Sequence, residues 1–142
     1  MAFFHTLWVR YMFNKKKQPP IRSLIAEASE IDGNISFSEG LRIDGSVVGN
    51  VSARIDTASI LVISETGTVT GEVLADHIIV NGTVKGPVRA RVLLELQPKA
   101  RIDGDVEYIA LEMHQGAIIA GQLRPGIEAE EKPTLKLAAN NS

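Results

Sequence analysis

The chain has 142 residues, with 15 Lys+Arg against 17 Asp+Glu for a net charge of −2, twelve glycines, three histidines and no cysteine. That length suits one compact domain, and the missing cysteine excludes a disulfide framework, a thiolate metal site and a cysteine nucleophile. Aromatic residues at 5% leave a core of Ile, Val and Leu; no run of about 18 apolar residues is present to span a bilayer, and the near-balanced charge gives no nucleic-acid footprint.

Charge is divided unevenly along the chain. Residues 1–26 carry Arg10, Lys15, Lys16, Lys17 and Arg22 and no acid, a balance of +5 that leaves −7 on the remainder. Phe4, Leu7, Trp8 and Tyr11 recur at helical spacing, so one face of a short helix would be apolar and aromatic, with the three lysines directly behind it. An export signal has its charges ahead of the apolar segment, which is the reverse of this order. The pattern is therefore expected to be a membrane-targeting tail. Phe3, Phe4, Leu7, Trp8, Met12 and Phe13 would enter the lipid interface, and Lys15, Lys16 and Lys17 would be drawn to anionic headgroups at about 1 kcal/mol per charge. Pro19-Pro20 reads as an extended linker, giving a tail and linker over 1–22.

From Ser29 to Leu123 one pattern, small–x–apolar–x–Gly–x–apolar, recurs six times: SEIDGNI, GSVVGNV, GTVTGEV, GTVKGPV, ARIDGDV and AIIAGQL. The central glycines are 33, 49, 71, 86, 104 and 121, at spacings of 16, 22, 15, 18 and 17. Between copies lie the alternating pieces Leu41-x-Ile43, Leu61-x-Ile63, Ile78-x-Val80, Leu94-x-Leu96 and Leu111-x-Met113. A period of two with β-branched residues and Gly, Asn, Asp or Pro at the breaks predicts strands of three to five residues joined by tight corners, and no helix.

Three short strands per winding, stacked turn on turn, make an all-β fold: a parallel β-helix, here a triangular solenoid of about six windings over 23–125. Each winding advances ~4.8 Å, giving a rod of about 29 Å. Alternation turns Val47, Val51, Val69, Val73, Val84, Val88, Ile102 and Val106 inward. The glycines share that parity, so each is expected either to make room at a crowded corner or to supply an unusual φ. Asp103, Asp105 and Glu107 fall on the outward parity, with Asp103 and Asp105 read as lying on one strand. Residues 126–142, with Glu128, Glu130, Glu131 and Pro133, read as a disordered C-terminal tail.

Hexapeptide acyltransferases are also triangular solenoids, but they repeat an apolar residue every six positions. Here stepping by six from Val47 reaches Ala53 and Ser59, so that register is not kept. His77 and His114 stand 37 residues apart without a third histidine near them. There is no phosphate-binding Gly-Lys-Ser/Thr loop, no Gly-x-Ser-x-Gly and no dinucleotide fingerprint. No catalytic, cofactor or metal residue is therefore assigned. A transferase and a passive binding solenoid remain the alternatives to a structural polymer. A β-helix without capping helices presents unpaired strands at both ends, and open ends invite stacking. The end residues expected to meet in such stacking are Ile31 and Ile35 at one end and Leu111, Met113, Ile119 and Leu123 at the other.

Through its Ile-Asp-Gly and Gly-x-Val-x-Gly-x-Val repeats the chain resembles the bactofilins, polymer-forming bacterial cytoskeletal proteins. Met12-Phe13-Asn14-Lys15-Lys16-Lys17 also looks like the family's short membrane-targeting start, preceded here by eleven further residues. The resemblance implies a right-handed, single-stranded β-helix that assembles end to end into nonpolar filaments without nucleotide or cofactor. It implies a place on the cytoplasmic face of the inner membrane. There the filament would scaffold cell-wall enzymes or their adaptors and help set cell shape.

Overall fold

Why a chain this rich in glycine forms a rigid rod is explained by where the glycines sit. In a computed structural model that describes residues 19–126, every described regular element is a strand. The first winding comprises β1 (Ile21–Ile25), β2 (Glu30–Asp32) and β3 (Ile35–Phe37), and the second β4 (Glu39–Ile43), β5 (Ser46–Val48) and β6 (Val51–Ala53). The third holds β7 (Ser59–Ile63), β8 (Thr68–Thr70) and the first part of β9 (Val73–Val80). The fourth continues through the rest of β9, β10 (Thr83–Lys85) and the first part of β11 (Val88–Leu96). The fifth takes the rest of β11, β12 (Arg101–Asp103) and β13 (Val106–Tyr108), and the sixth β14 (Ala110–Met113), β15 (Ile118–Ala120) and β16 (Leu123–Pro125).

All the strand pairs are parallel and join consecutive windings, so each winding contributes one strand segment to each of three faces. Face one runs β1, β4, β7, the end of β9, the end of β11 and β14. Face two runs β2, β5, β8, β10, β12 and β15. Face three runs β3, β6, the start of β9, the start of β11, β13 and β16. A triangular solenoid of six windings results.

Register turns the sequence alternation into aliphatic columns down the rod. Ile31, Val47, Val69, Val84, Ile102 and Ile119 form one. Ile35, Val51, Val73, Val88, Val106 and Leu123 form another. Two more lie behind face one: Leu41, Leu61, Ile78, Leu94 and Leu111, and beside it Ile25, Ile43, Ile63, Val80, Leu96 and Met113. All eight inward residues expected from alternation are buried, none exceeding 2% exposure. Each buried Val or Ile contributes about 1.5–3 kcal/mol relative to leaving it in water.

The corner between faces two and three is the fixed point of the repeat. It is always a glycine and one further residue, and the glycines stack directly on one another. A Cβ on Gly86 would lie 2.3 Å from the carbonyl oxygen of Gly71, and Gly86 also has φ +153°, so both expected reasons for glycine hold at once. The uneven spacings arise at the other two corners. Between Gly49 and Gly71 the chain spends residues 54–58 and 64–67 on them, which makes the 22-residue interval. The longer corner is pinned by the buried Ser59. Its backbone N–H donates to Asp76 Oδ2 at 3.2 Å, while the Asp76 N–H donates to Ser59 Oγ at 3.0 Å. Arg91 Nε donates to Asp76 Oδ1 at 2.7 Å.

Three expectations change. Strands β9 and β11 have eight and nine residues rather than three to five, because the chain turns from face three to face one without leaving extended backbone, at Asp76 and through a register shift after Ala90. The first winding begins at Ile21, inside the stretch read as tail and linker, because β1 pairs with β4. Asp103 and Asp105 do not share a strand: Asp103 ends β12, and Asp105 sits in the glycine corner, where it accepts the Gln122 N–H at 3.0 Å. The tail residues Phe3, Phe4, Leu7, Trp8, Met12, Phe13, Lys15, Lys16 and Lys17, and the C-terminal tail from residue 127, lie outside the described residues.

His77, half-buried on the outer side of face one, carries the clearest pH consequence. Burial pushes its pKa below the usual imidazole value, partly opposed by the Asp76 carboxylate. The unfolded chain then binds more protons than the folded one as pH drops through this range. Stability is fully present above the ordinary histidine pKa and is lost as pH falls towards the depressed folded value. Thermal melts between pH 7.5 and 5 should therefore show a smaller fall in Tm for His77→Gln than for the unmodified chain. Parallel curves for the two would contradict this.

Candidate functional site

The described surface is built around two ends. In the first winding β1 pairs only with β4, β2 only with β5 and β3 only with β6; in the last, β14, β15 and β16 pair only inward, with β11, β12 and β13. Among the described residues each end therefore offers three strand edges with backbone N–H and C=O groups on their open side.

Aliphatic side chains stand behind those edges. The expected end residues Ile31, Ile35, Leu111, Met113, Ile119 and Leu123 all fall in the terminal windings and at the open ends of the inward columns. Ile31 is 37% exposed, Met113 47% and Leu123 45%, whereas the same columns one winding inward are closed. The exposure is thus a property of the ends rather than of the side chains. Sequence reasoning missed Ile25, which continues the Ile43 column into the first winding. It lies ahead of the first glycine repeat, and its distance of one winding from Ile43 was the available signal. No helix caps either end among the described residues.

Charge differs between the ends. The first winding carries Glu27, Glu30 and Asp32 against Arg22, and Arg22 forms an ion pair with Glu39 in the next winding. The last carries Glu112 and Arg124, with Arg124 Nη2 3.1 Å from Asp105 Oδ2. Along the sides, Arg89 bridges Glu72 at 3.5 Å and Glu107 at 3.0 Å, and Lys99 meets Glu65 at 2.6 Å. Exposed pairs of this kind are worth at most about 1 kcal/mol; those of Arg89 join neighbouring windings, and Lys99–Glu65 spans from the fifth to the third.

The two body histidines do not converge. His114 instead meets Glu95, Nε2 to Oε2 at 3.3 Å, and Glu112 brings a third donor atom within 4.8 Å of these. Sequence spacing did not show this group, because it forms only through the Glu95–Glu112 register of face one. An open groove of about 410 Å³ lies beside Arg89, Tyr108 and Gly126. Its lining holds no histidine, and its Arg89 is already shared between two carboxylates. Among the described residues no helix is long and apolar enough to cross a membrane.

Comparison with known proteins agrees with this architecture. The family model described as "Bactofilin: Polymer-forming cytoskeletal" matches residues 23–124. The chain is also similar to bactofilin BacO of Myxococcus xanthus (strain DK1622), with 26% identity over 111 residues that span 78% of this chain and 85% of that protein. No solved structure gives a significant match. With the family model covering well over half of a chain whose described residues fold as a β-solenoid, this protein belongs to the bactofilin family of polymer-forming cytoskeletal proteins.

Proposed function

We propose that this bactofilin is a nucleotide-independent scaffold that polymerises end to end and is held at the cytoplasmic face of the inner membrane by its N-terminal tail. The observation that carries the reading is the pair of ends, open among the described residues: three singly paired strands each, over aliphatic columns of which three, those of Ile25, Ile31 and Ile35, run through all six windings. Stacking a second copy on either end would continue both the backbone ladders and the columns around Ile31, Ile35, Leu111, Met113, Ile119 and Leu123. It needs no cofactor, and the reading assigns the chain no enzymatic activity. A filament so formed would present recruitment sites at regular intervals to cell-wall enzymes or their adaptors and so influence cell shape.

Membrane attachment by the tail rests on two signals that are each too weak alone. A short apolar insert binds only marginally, and three lysines contribute about 3 kcal/mol before screening. A filament changes the arithmetic, because many tails on one rod face the same bilayer and each bound neighbour raises the effective concentration for the next. Deleting residues 1–17 is therefore expected to release filaments from anionic vesicles without dissolving them. Co-sedimentation at low and high salt checks this, and equal binding by full-length and tail-deleted filaments would remove the tail from the mechanism.

A further inference from the structure

The three outer faces of the rod are not alike. On face one the outward column beside the core reads Leu24, Arg42, Val62, Ile79, Glu95 and Glu112, and the next includes His77 and Leu93. Leu24 is 57% exposed, while Val62, Ile79 and Leu93 are half-buried, so outward apolar side chains stand on the first, third, fourth and fifth windings, with Arg42 between them on the second. At equivalent outward positions face two carries Thr68, Thr70, Thr83 and Lys85 with exposed Val48 and Ile118 towards its two ends, and face three carries Ser52, Arg89 and Glu107 with one apolar residue, Leu74. Solvent-facing sheet positions ordinarily alternate to polar, as most of those on the two other faces do.

The second observation is where the chain outside the described structure joins the rod. Residues 1–18 connect through Pro19-Pro20 to Ile21, the first residue of β1, which is the edge strand of face one. Lys17 is four residues from Ile21, and at roughly 3.3–3.6 Å per extended residue it lies within about 14 Å of that strand. Any anionic surface held by Lys15–Lys17 is thus close to the start of the apolar strip. The acidic pair Glu95 and Glu112 lies in the two windings furthest from the tail.

We propose that face one is the side the rod turns towards the lipid bilayer, with Leu24, Val62, Ile79 and Leu93 at the headgroup boundary. This deepens the membrane reading above and rests on it. It adds an orientation: a filament lying on the membrane would direct faces two and three, with their hydroxyls and charges, to the cytoplasm and to recruited proteins.

The absence of cysteine from the chain makes the test direct. Full-length Val62→Cys, Thr70→Cys and Ser52→Cys place one thiol on faces one, two and three, and each is labelled with the environment-sensitive dye NBD. On adding vesicles of phosphatidylglycerol and phosphatidylcholine, the dye at 62 should brighten and shift to the blue while those at 70 and 52 stay unchanged. A V62K/I79K double variant with a native circular dichroism spectrum and an intact tail should bind the same vesicles about tenfold more weakly, since apolar burial supplies part of interfacial affinity. A shift at 70 or 52 instead, or vesicle binding with all three dyes silent, overturns the orientation while leaving the tail's role standing. A lipid-independent, concentration-dependent shift at 62 would assign the strip to a second copy and overturn it as well. No co-sedimentation of the full-length chain would overturn both.

Discussion

Val69→Arg is expected to abolish the folded domain. Val69 has no exposed surface and sits in the middle of the column from Ile31 to Ile119, between Val47 and Val84 one winding away on either side. An arginine there has no route to water and no carboxylate in the column to pair with. The substitution combines an uncompensated buried charge with overpacking, each costing several kcal/mol or about 1–3 kcal/mol respectively. Small domains have only about 5–15 kcal/mol to lose. Far-ultraviolet circular dichroism should show loss of the β signal at 25 °C, and a native spectrum with an unchanged Tm would mean that the column is not the core.

The same substitution at an end should act differently. Ile35 and Leu123 occupy the two terminal positions of the Val51 column, and Leu123 is 45% exposed. In an isolated rod an arginine at either place extends its stem along the apolar surface and keeps its guanidinium in water, so the monomer folds. In a stacked junction that guanidinium is enclosed between two aliphatic surfaces, at a cost of several kcal/mol. That is enough to weaken association by several orders of magnitude, since each 1.4 kcal/mol is tenfold. Ile35→Arg and Leu123→Arg should therefore sediment as β-rich monomers or as single-junction dimers, with no long filaments. Persistence of filaments in both variants, with native spectra, would place the junction somewhere other than the ends.

Much of this fold was legible because two independent periods agree. Alternation gave the inward residues, and the glycine register gave the corner, where a Cβ has no space against the glycine carbonyl of the previous winding. The first strand was not legible: Ile21–Ile25 precedes the first glycine repeat and follows two prolines, so local signals favoured a linker, and only pairing with β4 reveals it. The continuous strand β11 was foreshadowed, since Val88–Leu96 contains no Gly, Pro, Asn or Asp to punctuate it, whereas β9 runs on through Asp76. Ile31, Ile35, Leu111, Met113, Ile119 and Leu123 lie in the terminal windings because an aliphatic column stops where the repeat stops. The meeting of Glu95, Glu112 and His114 needed the register of face one, which spacing along the chain does not disclose.

The central claim is that open β-helical ends alone drive assembly. Negative-stain electron microscopy of the purified full-length chain at micromolar concentration, without nucleotide, metal or lipid, tests it most directly. Filaments or sheets of filaments, made of rods joined end to end, are expected in unmodified protein and none in Ile35→Arg or Leu123→Arg. A strictly monomeric or trimeric unmodified protein under these conditions would contradict it.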